Sequence, residues 1–76
     1  MNAAQCRAAR ALLDWTQPRL AEAAGIGLST VVDFEKGRRA VSAEAIGKMS
    51  TALREAGIEF TNGGDPGGVR LALIGQ

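Results

Sequence analysis

Thr16-Gln17-Pro18-Arg19-Leu20-Ala21-Glu22-Ala23-Ala24-Gly25-Ile26-Gly27-Leu28-Ser29-Thr30-Val31-Val32-Asp33-Phe34-Glu35-Lys36-Gly37 decides the fold of this chain. Thr16 can cap a helix, and Pro18 is tolerable in that helix only because it lies in the first turn, where its missing N–H costs nothing. The helix should end at Ala24, because Gly25 supplies the left-handed backbone that closes helices. Leu20, Ala21 and Ala24 then face inward. A second short helix should run from Leu28 to about Lys36, closed by Gly37, with Val31 and Phe34 on one face. Two short helices joined by only Gly25-Ile26-Gly27 must cross closely, so the first has to offer a small side chain, and Ala21 does. Leu20, Ala24, Ile26, Val31 and Phe34 fill the buried side of the pair. Gln17, Leu28, Ser29, Val32 and Asp33 are left on the other side, facing outward.

The same punctuation extends in both directions. Asn2 and Gln5 form a capping-box pattern, which predicts a helix from Ala3 to Leu13 with Cys6, Ala9 or Arg10, and Leu13 on its buried stripe. Trp15 falls in the turn that follows and should pack against that helix or the C-terminal strands. Ser42 caps a further helix, in which Ile46, Met49 and Leu53 recur at helical spacing up to Gly57. Beyond Gly57 the period changes to two: Ile58 and Phe60 alternate with Glu59 and Thr61, as in a strand. Residues 62 to 68 read Asn-Gly-Gly-Asp-Pro-Gly-Gly, a loop, and Val69 to Ile74 read as a second strand. Val69, Leu71 and Leu73 could cover the helical core beside Ile58 and Phe60, leaving Ala72 and Ile74 on the other face. The map is four helices followed by a β-hairpin, with no internal repeat.

Composition narrows the class. Seventy-six residues make one domain, and one so small buries only about 60% of the surface its unfolded chain exposes. Cys6 is the sole cysteine and histidine is absent. An intramolecular disulfide is therefore impossible, and no conventional zinc site or other metal cofactor is expected. A lone thiol fits a reducing cytoplasm, and its place on an apolar stripe reads as core. No apolar run approaches a membrane span, and no basic-then-apolar leader is visible. Nine basic against eight acidic residues give a net charge far from the strongly basic balance that signals nucleic acid by itself. Distribution says more, since Lys36, Arg38 and Arg39 fall within four positions.

An exposed helix presented by a tight two-helix unit, with phosphate-binding groups nearby, has the geometry that enters a DNA major groove. The string Thr16-Gln17 … Leu20-Ala21 … Gly25-Ile26, then Ser29-Thr30-Val31-Val32 … Phe34-Glu35 … Gly37-Arg38, resembles the phage-repressor and Cro (XRE-like) type of helix-turn-helix regulators. The resemblance covers residues 5 to 57. It rests on the glutamine, the small residue, the glycine and the Glu-x-Gly at the family's spacing. It implies a mainly α, lambda-repressor-like domain of four helices over residues 1 to 57, with residues 58 to 76 a hairpin extension of the same domain. It implies base contacts from Leu28, Ser29, Thr30, Val32 and Asp33. Phosphate contacts would come from Gln17, Arg19, Lys36, Arg38 and Arg39. Arg10 and Glu35 match a largely buried ion pair tying the first helix to the third. Leu28 and Asp33 depart from the amide or basic groups more usual on the reading surface, and an aspartate there can accept a hydrogen bond from cytosine N4. The hairpin stands where the family usually has a fifth helix.

The function implied is sequence-specific binding of a palindromic double-stranded DNA operator by a bacterial, cytoplasmic, nucleoid-associated repressor. The subunits would form a homodimer, through the open apolar edge of the C-terminal strands. The alternative is an antitoxin or protein-interaction module that keeps the fold, favoured by the low net charge and by Asp33. With no histidine, no cysteine–base pair and no convincing carboxylate dyad, an enzyme is not expected. Neither a small-molecule ligand nor a membrane partner is expected.

Overall fold

The computed structural model describes residues 1–38 and 40–60 in full, together with the backbone of 69–71. Four helices come first: α1 (Ala3–Leu13), α2 (Gln17–Ala24), α3 (Leu28–Lys36) and α4 (Ala43–Glu55). Two short strands, β1 (Ile58–Phe60) and β2 (Val69–Leu71), complete the order. They pair antiparallel, with Ile58 opposite Leu71, Glu59 opposite Arg70 and Phe60 opposite Val69. β1 packs on α4 and β2 lies against α1, so the strands close onto the helices. Arg39, the loop read at 62 to 68 and the continuation of the second strand to Ile74 lie outside the described residues.

The helix starts follow from their caps. Asn2 Oδ1 accepts the Gln5 N–H at 2.8 Å, while Gln5 Oε1 accepts the Asn2 N–H at 2.9 Å, a complete capping box. Thr16 and Ser42 cap α2 and α4 through their hydroxyl oxygens, at 3.2 and 3.1 Å from the Arg19 and Ala45 nitrogens. Each cap satisfies one of the donors that a helix start leaves without an intrahelical partner.

Helices α1, α2 and α3 end in one and the same way. The residue just past each helix takes left-handed backbone: Asp14 at φ 58°, Gly25 at φ 70° and Gly37 at φ 67°. The next N–H then reaches back to a carbonyl five residues earlier: Trp15 to Arg10 at 2.9 Å, Ile26 to Ala21 at 3.0 Å, and Arg38 to Asp33 at 3.0 Å. This is the Schellman arrangement, which satisfies end carbonyls and turns the chain sharply. Two of the three positions are glycine. Asp14 achieves the same turn with a side chain, at a steric cost that a short polar residue bears better than most.

The core holds Cys6, Ala9, Leu20, Ala21, Val31, Met49, Ala52, Leu53 and Ile58, all buried. Leu13, Trp15, Ala24, Phe34 and Ile46 pack against it from half-buried positions. Ala21 is almost fully buried, and α2 packs on both α3 and α4. A larger residue there would push α2 off its neighbours, because tightly packed interiors tolerate little added volume. Among the described residues no helix is long and apolar enough to cross a membrane.

Candidate nucleic-acid interface

The interface begins with one buried acid. Glu35, in the last turn of α3, has a carboxylate only 2% exposed. A carboxylate out of water needs donors for its lone pairs, or it becomes costly to keep charged. Here four arrive. Arg10 of α1 clamps both oxygens, Nε to Oε2 at 2.6 Å and Nη2 to Oε1 at 2.6 Å. The Cys6 thiol donates to Oε2 at 3.1 Å, and the Gln17 amide donates to Oε1 at 3.1 Å. Arg10 Nη1 also donates to the Trp15 carbonyl at 2.9 Å, and Arg7 Nη1 donates to the Glu35 carbonyl. One side chain of α3 thus gathers α1, the turn after it, and the start of α2.

The electrostatics follow from that geometry. Burial pushes the Glu35 carboxyl up, but hydrogen bonds from Arg10, Cys6 and Gln17, with the charge of Arg10, outweigh it and hold the group below its ordinary value. The hydrogen bond to Glu35 raises the Arg10 guanidinium above its ordinary value. Burial drives the Cys6 thiol far upward, reinforced by its bond to the Glu35 anion. Cys6 is therefore a protonated donor in a polar network as well as a core residue. No buried side-chain nitrogen or oxygen lacks a hydrogen bond among the described residues.

This network fixes how α3 is presented. Val31 and Glu35 point into the protein, and Phe34 packs beside them. Leu28, Ser29 and Lys36 are exposed, while Thr30, Val32 and Asp33 are half-buried on the flanks. Thr30 and Asp33 also interact within the protein. Arg38 is exposed just beyond the helix end, after the turn at Gly37. The outward group read from the sequence is thus only partly outward. Gln17 is half-buried with its amide nitrogen turned to Glu35, because a buried carboxylate recruits the nearest donor. Arg19 is exposed yet engaged at home. Its guanidinium lies 4.8 Å above the Trp15 ring and 3.2 Å from Glu22 Oε1.

Three features escaped the reading of the sequence: the thiol of Cys6 as a donor, Arg7 on the end of α3, and the left-handed Asp14. The sequence reading assigned Arg7 no role, yet its guanidinium reaches the Glu35 carbonyl. Among the described residues, no cluster of three or more histidine, cysteine, aspartate or glutamate side chains can hold a metal ion.

A model of the helix-turn-helix family matches residues 7–59, from α1 through β1. No curated protein matches the chain.

Proposed function

The chain belongs to the helix-turn-helix family of the phage-repressor and Cro type, and from that premise we propose that it binds a specific double-stranded operator as a transcriptional repressor. Family membership makes it a DNA-binding regulator, and the operator and the sign of regulation are our reading. One observation carries it: α3 turns Leu28, Ser29 and Lys36 to solvent while its buried edge is bolted to α1 and α2 through Glu35. A reading helix gains from such rigidity, because ordering it costs nothing further on binding. In this reading α3 enters the major groove, with Leu28, Ser29, Thr30, Val32 and Asp33 toward base edges. Gln17, Arg19, Lys36, Arg38 and Arg39 serve the phosphates. Gln17 has a second amide N–H beyond the one given to Glu35, and that donor suits a phosphate oxygen. Arg19 must exchange Trp15 and Glu22 for DNA, so its contribution is the smallest of the set.

We read residues 58 to 76 as part of the same domain as 1 to 57, supported by the packing of β1 on α4 and β2 on α1. The active species is a homodimer on a palindromic site, because operators for this fold present half-sites about 34 Å apart. The C-terminal strands are the proposed contact. A bacterial cytoplasm, in association with the nucleoid, is the setting that this function requires, and no catalytic activity is proposed.

Titration of a random duplex at two salt concentrations tests the reading. Phosphate contacts release counterions, so affinity must fall steeply as salt rises. Arg38→Ala should weaken binding to all sequences alike and flatten that slope by about one unit. Salt-independent binding, or none, would leave the protein-interaction alternative in its place.

A further inference from the structure

Leu28 stands out on the reading helix. Among the described residues only it and Leu12 of α1 are large apolar side chains well exposed to water, each at 45%. Val32 follows four residues later, so the two side chains lie on one face of α3. The pair lies between the buried edge of Val31 and Glu35 and the polar face of Ser29, Asp33 and Lys36, with Leu28 exposed and Val32 half-buried. Neither residue belongs to the buried core cluster.

We propose that Leu28 and Val32 read the C5 methyl group of a pyrimidine, so that each half-site carries thymine, or 5-methylcytosine, opposite the first turn of α3. The inference rests on the DNA-binding reading above and names the chemical group that this part of the helix selects. In the major groove every base edge presents donors or acceptors, and the thymine methyl is the one apolar feature of the four standard bases. An apolar pair pressed against N7, O6, O4 or an amino group would strip water from that atom and return no hydrogen bond. Against a methyl the same pair buries apolar surface on both partners. Selection therefore arises twice, by attraction to the methyl and by a penalty on everything else. Burial of a single methyl is worth about a fourfold gain in affinity.

Uracil isolates the effect, since it differs from thymine only by that methyl. Sites are first selected by the full chain from a random duplex pool at fixed salt, and thymine should dominate one position in each half-site. Replacing it by uracil should weaken binding about fourfold, and placing 5-methylcytosine there in place of cytosine should strengthen binding similarly. Leu28→Ala should shrink the thymine-to-uracil ratio toward one, since only Val32 is left to touch the methyl. Leu12→Ala, which removes the other exposed leucine, should keep the parent ratio. Both leucines are half-exposed, so both variants should melt close to the parent. A thymine-to-uracil ratio near one in the parent, or a ratio that Leu28→Ala leaves unchanged, overturns the inference and leaves DNA binding intact. Failure to select any duplex overturns both.

Discussion

Arg10→Met tests whether the Glu35 network organises the domain. The substitution keeps an unbranched apolar stem but removes both 2.6 Å bonds to Glu35 and the bond to the Trp15 carbonyl. The carboxylate, 2% exposed, would keep only the weak thiol donor and the Gln17 amide. Stranding one partner of a buried ion pair costs about 3–5 kcal/mol. A domain of 76 residues has in total about 4–11 kcal/mol of stability. With an unfolding entropy of roughly 2.1 cal/mol/K per residue, that loss lowers Tm by about 20–30 °C. Circular dichroism melts of parent and variant at neutral pH measure it.

The pH dependence adds a second readout. In the parent the folded carboxyl of Glu35 sits below its unfolded value, so its stabilisation is complete above the unfolded value and disappears as pH falls through the folded one. In Arg10→Met burial dominates, and the folded carboxyl moves above the unfolded value. The penalty is then present at neutral pH and relieved as acid protonates Glu35, so the gap between the two proteins narrows toward pH 4. Arg10→Met/Glu35→Leu should recover much of the loss, since a buried pair replaced by apolar residues is often neutral. A single-variant loss within about 0.5 kcal/mol, or a double variant no better than the single, refutes the reasoning.

Gly25→Ala should cost about 1–2 kcal/mol, from left-handed backbone alone, because no atom lies within 4 Å of the added Cβ; chemical denaturation measures it, and an unchanged midpoint would mean that the turn relaxes. Asp14→Gly should raise stability by up to about 1 kcal/mol, since glycine takes φ 58° without strain; a loss instead would show that the aspartate side chain matters there. Cys6, fully buried and held as a thiol, should resist alkylation in the native protein and react at a rate set by opening. Arg10→Met should therefore speed its labelling, and equal rates in parent and variant would contradict that link.

The helix limits were legible because they are local. Asn2 with Gln5, Thr16, Gly25, Gly37 and Ser42 each act on backbone groups a few residues away, so the amino-acid order carries the information. Asp14 obeys the same rule less audibly. Only the need to turn between Leu13 and the Thr16 cap marks it as left-handed, and aspartate is among the few side chains that accept this. The interface was less legible because its geometry is tertiary. Arg10 and Glu35 are 25 positions apart, and their pairing came from resemblance to a family, since periodicity assigns a face and never a partner. The same limit hid the bond from Gln17, read as facing outward, to Glu35. A count of donors would have narrowed the search. A buried carboxylate has about four lone-pair sites, and a bidentate arginine fills two. Two more donors must then come from whichever elements touch α3 near Glu35, which are the buried edge of α1 and the first turn of α2. Cys6 lies one helical turn before Arg10, and Gln17 opens α2. A buried acid in a small domain is thus a constraint on its neighbours, and Gln17, the residue that opens α2, answers to it.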